Sequence, residues 1–577
     1  MNAIPVPGPI IQGATGLTAT VEANGAVALP DFRGTTVTAT DTRGVTSFTQ
    51  TPVPGTVVQP GSYEITFVAT NAAEIESRVT TVVGVRFPAI SSPALTVGSA
   101  YTNASAPAAS GFPSGSVLTQ FGQPAIGDLR TLAVTANVIS GREKTPVVYR
   151  EDGAGVGQIV AKKGGSASLG AGITFKSFLD PLLSPNGKIT LQAKVDGATG
   201  ANDEGVWTDI FWGFSPVLRE GSGLPGNAGL KLKSVISLSV TNDSIIALVK
   251  LVREGTINAT NDVLLLRITS SSTSVRLART GLPMLNSTIS KLTVFQPSAA
   301  SVGQGRWHNG TDTLATITLQ DKRVFLVKIN PAGLQTPMLR AIEADPVYPD
   351  KLAKLGVPSI GGSSVAILGT KAPKTGVTGA NDTVILRSSV GGAFAEVAAE
   401  GAAGGMFSVL SDPVANAQGD ILFSGSRRST QPKGAPTNGL WLTDGSSSSE
   451  LVAGVGGVAT NAAGGPISGV VWTKFNTFAL PDAAGPVFVA QMKGTGVSGK
   501  NKLGLWAVDS GGLVRLHLRT GDFVTLPTGA KALKSFSLLN ASLGSIGARR
   551  SYNSSQSLAV LATFTDRSQA VLRVDIP

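Results

Sequence analysis

The chain has 577 residues, a formal charge of +11, and 42% hydrophobic against 14% charged side chains, so it is a folding polypeptide too long for one ordinary domain. It has no cysteine, which excludes disulfides, zinc–thiolate sites and thiol catalysis, and only two histidines. No stretch offers the roughly 18 unbroken apolar residues of a membrane span, and Lys and Arg are scattered singly, without the cluster a nucleic acid partner requires.

Charge is unevenly placed. Residues 1–86 hold four Arg, no Lys and six acidic side chains, a net −2, which leaves +13 for the rest. The start, "MNAIPVPGPII", has neither a basic opening nor a long apolar core, so no secretory signal is visible in this numbering. Seventy glycines and 33 prolines punctuate intervals rich in Val, Thr, Ser, Leu and Ile. That mixture predicts many short strands and turns, an all-β chain.

Residues 13–86 read as strands broken by turns. Ile65, Phe67 and Ala69 alternate with Thr66, Val68 and Thr70, a period of two that suits a sheet, and Pro60–Gly61 supplies a reversal ahead of it. The segment from "ALPDFRGTTVTATD" through "PGSYEITFVATNAAEIESRVTTVVGV" resembles the hyalin-repeat family of immunoglobulin-like modules, over about residues 24–85. It departs from that family in lacking the cysteine pair and in "EIES", where Gly-Asn is common. The resemblance implies a small β-sandwich over 1–86, with a spacer or adhesion role and no catalysis.

Beyond residue 87 one pattern recurs about every 60 residues: a strand followed by Gly, as in "PVLREG" (216–221), "VRLARTG" (275–281) and "RLHLRTG" (515–521). Each unit then has a hairpin around Asn-Gly, Asn-Asp, Gly-Gly or Gln-Gly, as in "PLLSPNGKITLQAKV" (181–195). A closing strand follows, such as "GVWTDI", "VLLLRI" or "GLWAVD". Four strands per unit without a helical period predict a β-propeller over 87–577, with about eight four-stranded blades and seven as the alternative. "LREG" and "N-D-x-G-L/V-W" resemble marks of uncharacterised repeats in exported bacterial proteins. That resemblance implies a secreted or cell-surface propeller and no established activity.

Asn/Asp-rich runs precede the closing strands: "TGANDEGVW" (199–207), "INATNDVLL" (257–265), "TGVTGANDTVIL" (375–386) and "VSGKNKLGLW" (497–506). A calcium loop needs six to eight oxygens with carboxylates at alternate positions. Each run offers one or two carboxylates, and Lys502 follows Asn501, so Asx turns that cap the loop backbone are expected, and no metal or cofactor. Trp207, Trp441 and Trp506 on the closing strands are expected to pack between blades.

A basic set recurs after each unit's first strand. Lys176, Lys233 and Lys534 occupy one place, with Lys354 and Lys474 within a residue of it. Equivalent positions in a ring lie on one circle, so these five predict a positive rim for an acidic glycan; a charged residue there also keeps an exposed strand soluble and unpaired. Unit four lengthens its central turn with "GQGRWHNGTD" (303–312), where Trp307 and His308 are expected on an exposed loop as a sugar platform. Unit eight lengthens the same turn with "SIGARRSYNSSQS" (545–557). His517, between Leu516 and Leu518, is expected at solvent or an interblade surface. With no paired histidines, a metal site or a Ser-His-Asp triad has no material.

The sequence therefore predicts a non-catalytic extracellular or cell-surface binding protein whose propeller loops hold a glycan or a surface protein. Its alternatives are a carbohydrate-active propeller hydrolase or lyase, which a central cluster of carboxylates or of Tyr, His and Arg would favour, and a structural subunit of a surface layer or filament. It does not set the oligomeric state.

Overall fold

A computed structural model describes residues 8–576, except 15–16, 21–26, 59–60, 87–96, 103–111, 154, 296–305, 344–347, 389–391, 402–405, 431–434, 436, 446–447, 483–484, 527–528, 539–550 and 555. The described residues form strands and turns with no helix. Pro60, much of the lengthened turns of units four and eight, and the start of the "ALTVG" segment (94–98) lie outside them.

Near the N-terminus, four strands pair in the order Thr18–Thr20, Glu76–Arg86, Gly61–Asn71, Val45–Thr51, with the first pair parallel. Two short ribbons accompany the sheet, Ile10–Gln12 with Thr38–Thr40 and Val27–Ala28 with Val57–Val58. Ile65, Phe67 and Ala69 are all buried, as the period of two predicts, and Ile65 and Phe67 share a core with Leu29, Phe32 and Val83.

The rest of the described chain is a β-propeller of eight sheets. Blade 2 shows the unit. Its inner strand, a, comes in two pieces, Thr174–Phe178 and Leu182–Leu183; strands b (Ile189–Asp196), c (Glu204–Thr208) and d (Ser215–Arg219) follow in antiparallel order. All eight blades carry a bulge at the c–d pairing, from Val148/Tyr149 in blade 1 through Leu505/Trp506 in blade 7 to Ala570/Val571 in blade 8. The bulge raises the local twist that fans the blades around an axis.

The phase of the repeat differs from the sequence expectation. The strand-plus-Gly segment expected to open each unit is strand d of the preceding blade, and the segment expected to close it is strand c. The conspicuous glycines mark the crossing from one blade to the next: Gly221, Gly281 and Gly521 follow strands d at φ 75–86°, a region that L residues with side chains avoid. The first unit's opening strand therefore has no blade ahead of it. Val97–Thr102 pairs instead with Gln569–Asp575 as the outer strand of blade 8, and the ring closes across the two ends of the repeat array.

The core lies between blades. One cluster joins Ala125 and Val148 of blade 1 to Phe175 and Trp207 of blade 2; others join 2 to 3, 3 through 5, 5 to 6, 6 to 7, 7 to 8, and 8 back to 1. Trp207, Trp441 and Trp506 are buried in these layers, as expected. Trp207 Nε1 donates to the Ala167 carbonyl at 2.8 Å and Trp506 Nε1 to that of Thr460 at 2.9 Å. In two of the Gly-x-Trp copies the ring folds back over the glycine: a Cβ on Gly504 would lie 2.5 Å from the Trp506 ring, and one on Gly205 would lie 2.6 Å from the Leu218 carbonyl and 3.1 Å from the Trp207 ring.

Trp506 stacks on Phe488 and meets Trp472 edge-on, both at 5.9 Å between centroids. Trp506→Ala is expected to destabilise the ring by about 3–5 kcal/mol, read as a lower urea midpoint; an unchanged midpoint would show that this layer does not hold blades 6 and 7 together.

Candidate functional site

Strand a bends at a bulge between Phe175 and Ser177 in blade 2, Leu232 and Ser234 in blade 3, and Leu533 and Ser535 in blade 8. Lys176, Lys233 and Lys534 are the residues bulged out, and all three are exposed. Lys354 and Lys474 stand one place later, after the bulges of blades 5 and 7, and are also exposed. The bulge of blade 4, between Ile289 and Lys291, shows a sixth member that the sequence reading missed by matching "LTVF" (292–295) to this site. Lys291 is exposed and is the register equivalent of Lys354 and Lys474.

These lysines are not alike electrically. Lys176 lies 3.4 Å from Asp196, and Lys233 lies 3.0 Å from Glu220. Among the described residues, no acidic side chain lies within ion-pair distance of Lys291, Lys354, Lys474 or Lys534. The uncompensated charge is therefore an arc over blades 4, 5, 7 and 8.

The Asn/Asp runs form b–c loops at the same ends of the blades, and in three of them the Asn side chain is spent on the loop's own backbone. Asn261 Oδ1 accepts from Asn258 N at 2.8 Å while its Nδ2 donates to the Thr256 carbonyl at 3.0 Å. Asn381 and Asn501 repeat both bonds, to Thr378 and Gly376 and to Ser498 and Gly496. Strand d fastens the loop from outside, with Arg279 Nε donating to the Asn261 carbonyl at 2.8 Å and Arg519 Nε to that of Asn501 at 3.0 Å. Asp262 pairs with Arg253 at 2.8 Å, and no metal-binding group of three His, Asp or Glu occurs among the described residues. The turn reading of these runs holds.

At the opposite ends, the a–b turns meet around the axis. Asn553 Nδ2 of blade 8 donates to the Gly127 carbonyl of blade 1 at 3.0 Å; Asp128 N reaches the Pro185 carbonyl of blade 2 at 2.6 Å; Asn186 N reaches Asn242 Oδ1 of blade 3 at 2.8 Å. Ser239 Oγ lies 2.6 Å from His308 Nε2 of blade 4. Arg306 N donates to Ser359 Oγ of blade 5 at 3.1 Å, that oxygen accepts from Ala415 N of blade 6 at 2.9 Å, and Ala417 N reaches Asp482 Oδ1 of blade 7 at 2.6 Å. The last junction is spanned by Arg306. Its guanidinium lies 2.6 Å from Asp482 Oδ1, donates to the Leu480 carbonyl at 2.8 Å, and stands 5.7 Å from the Tyr552 ring centroid of blade 8. Burial opposes its charge, and Asp482 and Tyr552 more than offset that, holding its pKa above the ordinary arginine value.

The lengthened turn of blade 4 is thus a central tie. Trp307 is not on an exposed loop, as its polar neighbours suggested: it is 7% exposed and extends the core of blades 3 to 5. His308 is half-buried, edge-on to Phe295 at 6.3 Å, and its Nδ1 accepts from Gly310 N at 3.1 Å. The exposed tryptophan is Trp212, 93% accessible on the c–d turn of blade 2, where Ile210 and Phe211 pack toward blade 3 and Phe214 packs toward blade 1. His517 is buried; desolvation, with Arg515 nearby, pushes it down to about 4, so its imidazole is neutral at neutral pH.

The seam of blades 8 and 1 holds a second ionic group, in which Glu151 is buried and Arg130, Arg573 and Asp575 are half-buried. Arg130 pairs with Asp575, which also accepts from Ser557 Oγ at 2.5 Å, and Arg573 lies 3.7 Å from Glu151. Burial, eased by Arg573 and reinforced by Asp152, pushes Glu151 up to about 7.

A family model matches residues 18–247, 99–460 and 457–575, so that its first match runs from the N-terminal unit into blade 3. The chain belongs to the family of unknown function DUF7453. No curated protein matches this DUF7453 member. Among solved structures, the β-propeller domain of the Trilobed protease from Pyrococcus furiosus is 10% identical at TM-score 0.33, covering 70% of this chain and 97% of its own. The WD40 domain of SCAP from fission yeast is 9% identical at 0.33, covering 79% and 93%. The SapL1 lectin in complex with α-methyl fucoside is 12% identical at 0.20, covering 58% and 92%. At these scores they carry no functional argument, and the propeller assignment rests on the strand pairing above. The family model that matches the N-terminal unit is that of DUF7453, not a hyalin repeat.

The folded DUF7453 ring holds the Glu151 proton more tightly than the unfolded chain does, so the group costs stability as pH rises from about 4.5 to about 7. Glu151→Gln removes that loss, and its stability relative to wild type is expected to rise between about pH 5 and about pH 8 in urea titrations. A difference independent of pH would place Glu151 at the ordinary carboxylate value.

Proposed function

We propose that this protein is a non-catalytic, secreted or cell-surface binding protein that holds an acidic glycan on the b–c face of its propeller. The observation that carries the reading is the arc of Lys291, Lys354, Lys474 and Lys534, exposed at matched bulges of different blades without acidic partners among the described residues. Repeated single charges along an arc suit a repeating polyanion, each contributing modestly and all screened by salt. The N-terminal strand unit, with a hyalin-repeat-like sequence and a net charge of −2, acts as the spacer that presents the ring.

A second reading, a carbohydrate-active enzyme, draws on Arg306, Tyr552 and Asp482, which converge at the axis much as that alternative requires. Their existing engagements weigh against it. Arg306 has its guanidinium engaged by Asp482, Leu480 and Tyr552, Tyr552 is 8% exposed, and the His308 ring is engaged by Ser239 and the Gly310 amide. Groups committed in this way tie turns together rather than meet a substrate.

The test is a panel of acidic and neutral polysaccharides against the full chain at two salt concentrations. Wild type is expected to bind acidic polymers, more weakly at high salt. Combined Lys291→Gln, Lys354→Gln, Lys474→Gln and Lys534→Gln is expected to weaken that binding about tenfold or more. Lys176→Gln with Lys233→Gln, whose charges are already compensated, changes it little. Equal losses in both variants, or release of oligosaccharide products by the wild type, contradict the reading.

A further inference from the structure

Strand a of blade 6 interrupts the lysine arc. In blade 4 the bulged residue, Ser290, donates from its Oγ to the Thr318 carbonyl at 3.0 Å, and the next residue, Lys291, is the register partner of Thr318. In blade 7 Thr473 Oγ1 donates to the Gln491 carbonyl at 3.2 Å, and Lys474 is the partner of Gln491. Blade 6 repeats the device: Ser408 Oγ donates to the Ser426 carbonyl at 3.2 Å, and the partner of Ser426 is Val409. The same hydroxyl clamp fixes the register in all three blades, so Val409 is the counterpart of Lys291 and Lys474. Blade 5 carries Lys354 at the same step after its own bulge. Blades 4 to 7 therefore present Lys, Lys, Val and Lys in order.

Val409 is 59% exposed. A single exposed valine is ordinary on a protein surface. This one stands where the blades on both sides, through Lys354 and Lys474, hold out ammonium groups without acidic partners among the described residues. The nearby cations at the end of strand b, Arg427 and Arg428, are half-buried, and they donate to the Ser449 carbonyl at 3.2 Å and the Gly401 carbonyl at 2.5 Å. They are held to backbone rather than extended as the lysines are.

A polyanion lying along the arc meets a cation at blades 4, 5 and 7 and an apolar side chain at blade 6. A carboxylate pressed against that side chain would lose water without gaining a partner, whereas a methyl group would leave water for an apolar surface. We propose that Val409 sets the chemical preference of the arc, which takes a polyuronate whose acidic units are interspersed with methyl-esterified ones, an ester methyl resting on Val409. The inference rests on the glycan reading above and deepens it by naming the substituent that the polymer carries.

The experiment compares binding of the full chain to long polygalacturonate and to the same polymer partly methyl-esterified, by calorimetric titration at one salt concentration. Wild type is expected to bind the esterified polymer at least as tightly as the acidic one, despite its lower charge. Val409→Lys, which completes the arc, is expected to favour the acidic polymer about threefold or more. Val409→Thr, which keeps the shape of the side chain and not its apolar surface, is expected to favour the acidic polymer by a smaller factor. A wild type that favours the acidic polymer, or that shows the same ratio as a Val409→Lys chain of equal melting temperature, overturns the role of Val409 while the arc stands. A wild-type ratio retained by Val409→Thr overturns the methyl contact. Failure of the wild type to bind either polymer overturns this inference together with the reading it rests on.

Discussion

A four-stranded sheet with two apolar faces has no stable place in water until both are covered, and in this chain every cover is another blade. The hydrophobic clusters are shared between neighbouring blades around the whole ring. Closure is therefore the constraint on which the fold depends: without it two blades expose a full face, and blade 8 also loses its outer strand. The chain meets this requirement twice. Val97–Thr102 returns to pair with Gln569–Asp575, and the a–b turns form a hydrogen-bonded collar that Arg306 completes from blade 4 to blades 7 and 8.

Closure also decides where chemistry is free to sit. Burying an ion pair costs desolvation that only good geometry and extra hydrogen bonds offset, and Arg306 has both in Asp482 and the Leu480 carbonyl. The axial end of the a–b turns is thus occupied by structure. The Asn loops at the other face are likewise bound to their own backbones. What stays available are the exposed lysines at and just after the strand a bulges.

Much of the ring was readable in the sequence because its signals are local. The period, the hairpin residues and the alternation of Ile65, Phe67 and Ala69 concern residues within a few positions of one another. The Gly-x-Trp pattern carries its own steric reason at Gly205 and Gly504. Strand phase was not readable, because a turn glycine looks the same between strands of one blade and between blades. A bulge shifts register by one residue without leaving a sequence mark, which hid Lys291 and left the one-residue offset of Lys354 and Lys474 from Lys176, Lys233 and Lys534 without a cause. Trp307 looked exposed beside His308 and Asn309, since nothing local shows that blades 3 to 5 close over it. Arg306 with Asp482, and Arg130 with Asp575, join residues far apart along the chain, and only coordinates bring them together.

The absence of cysteine makes the closing contact directly measurable. Thr102 and Ala570 are register partners across the seam, and antiparallel partners lie within the Cα separation that a disulfide spans. A Thr102→Cys, Ala570→Cys chain, oxidised and run without reductant, is expected to form an intramolecular bond that keeps a chain cut between blades as one species. Thiols that stay free under oxidation, or bonds that form only between molecules, would contradict a ring closed by its own first strand.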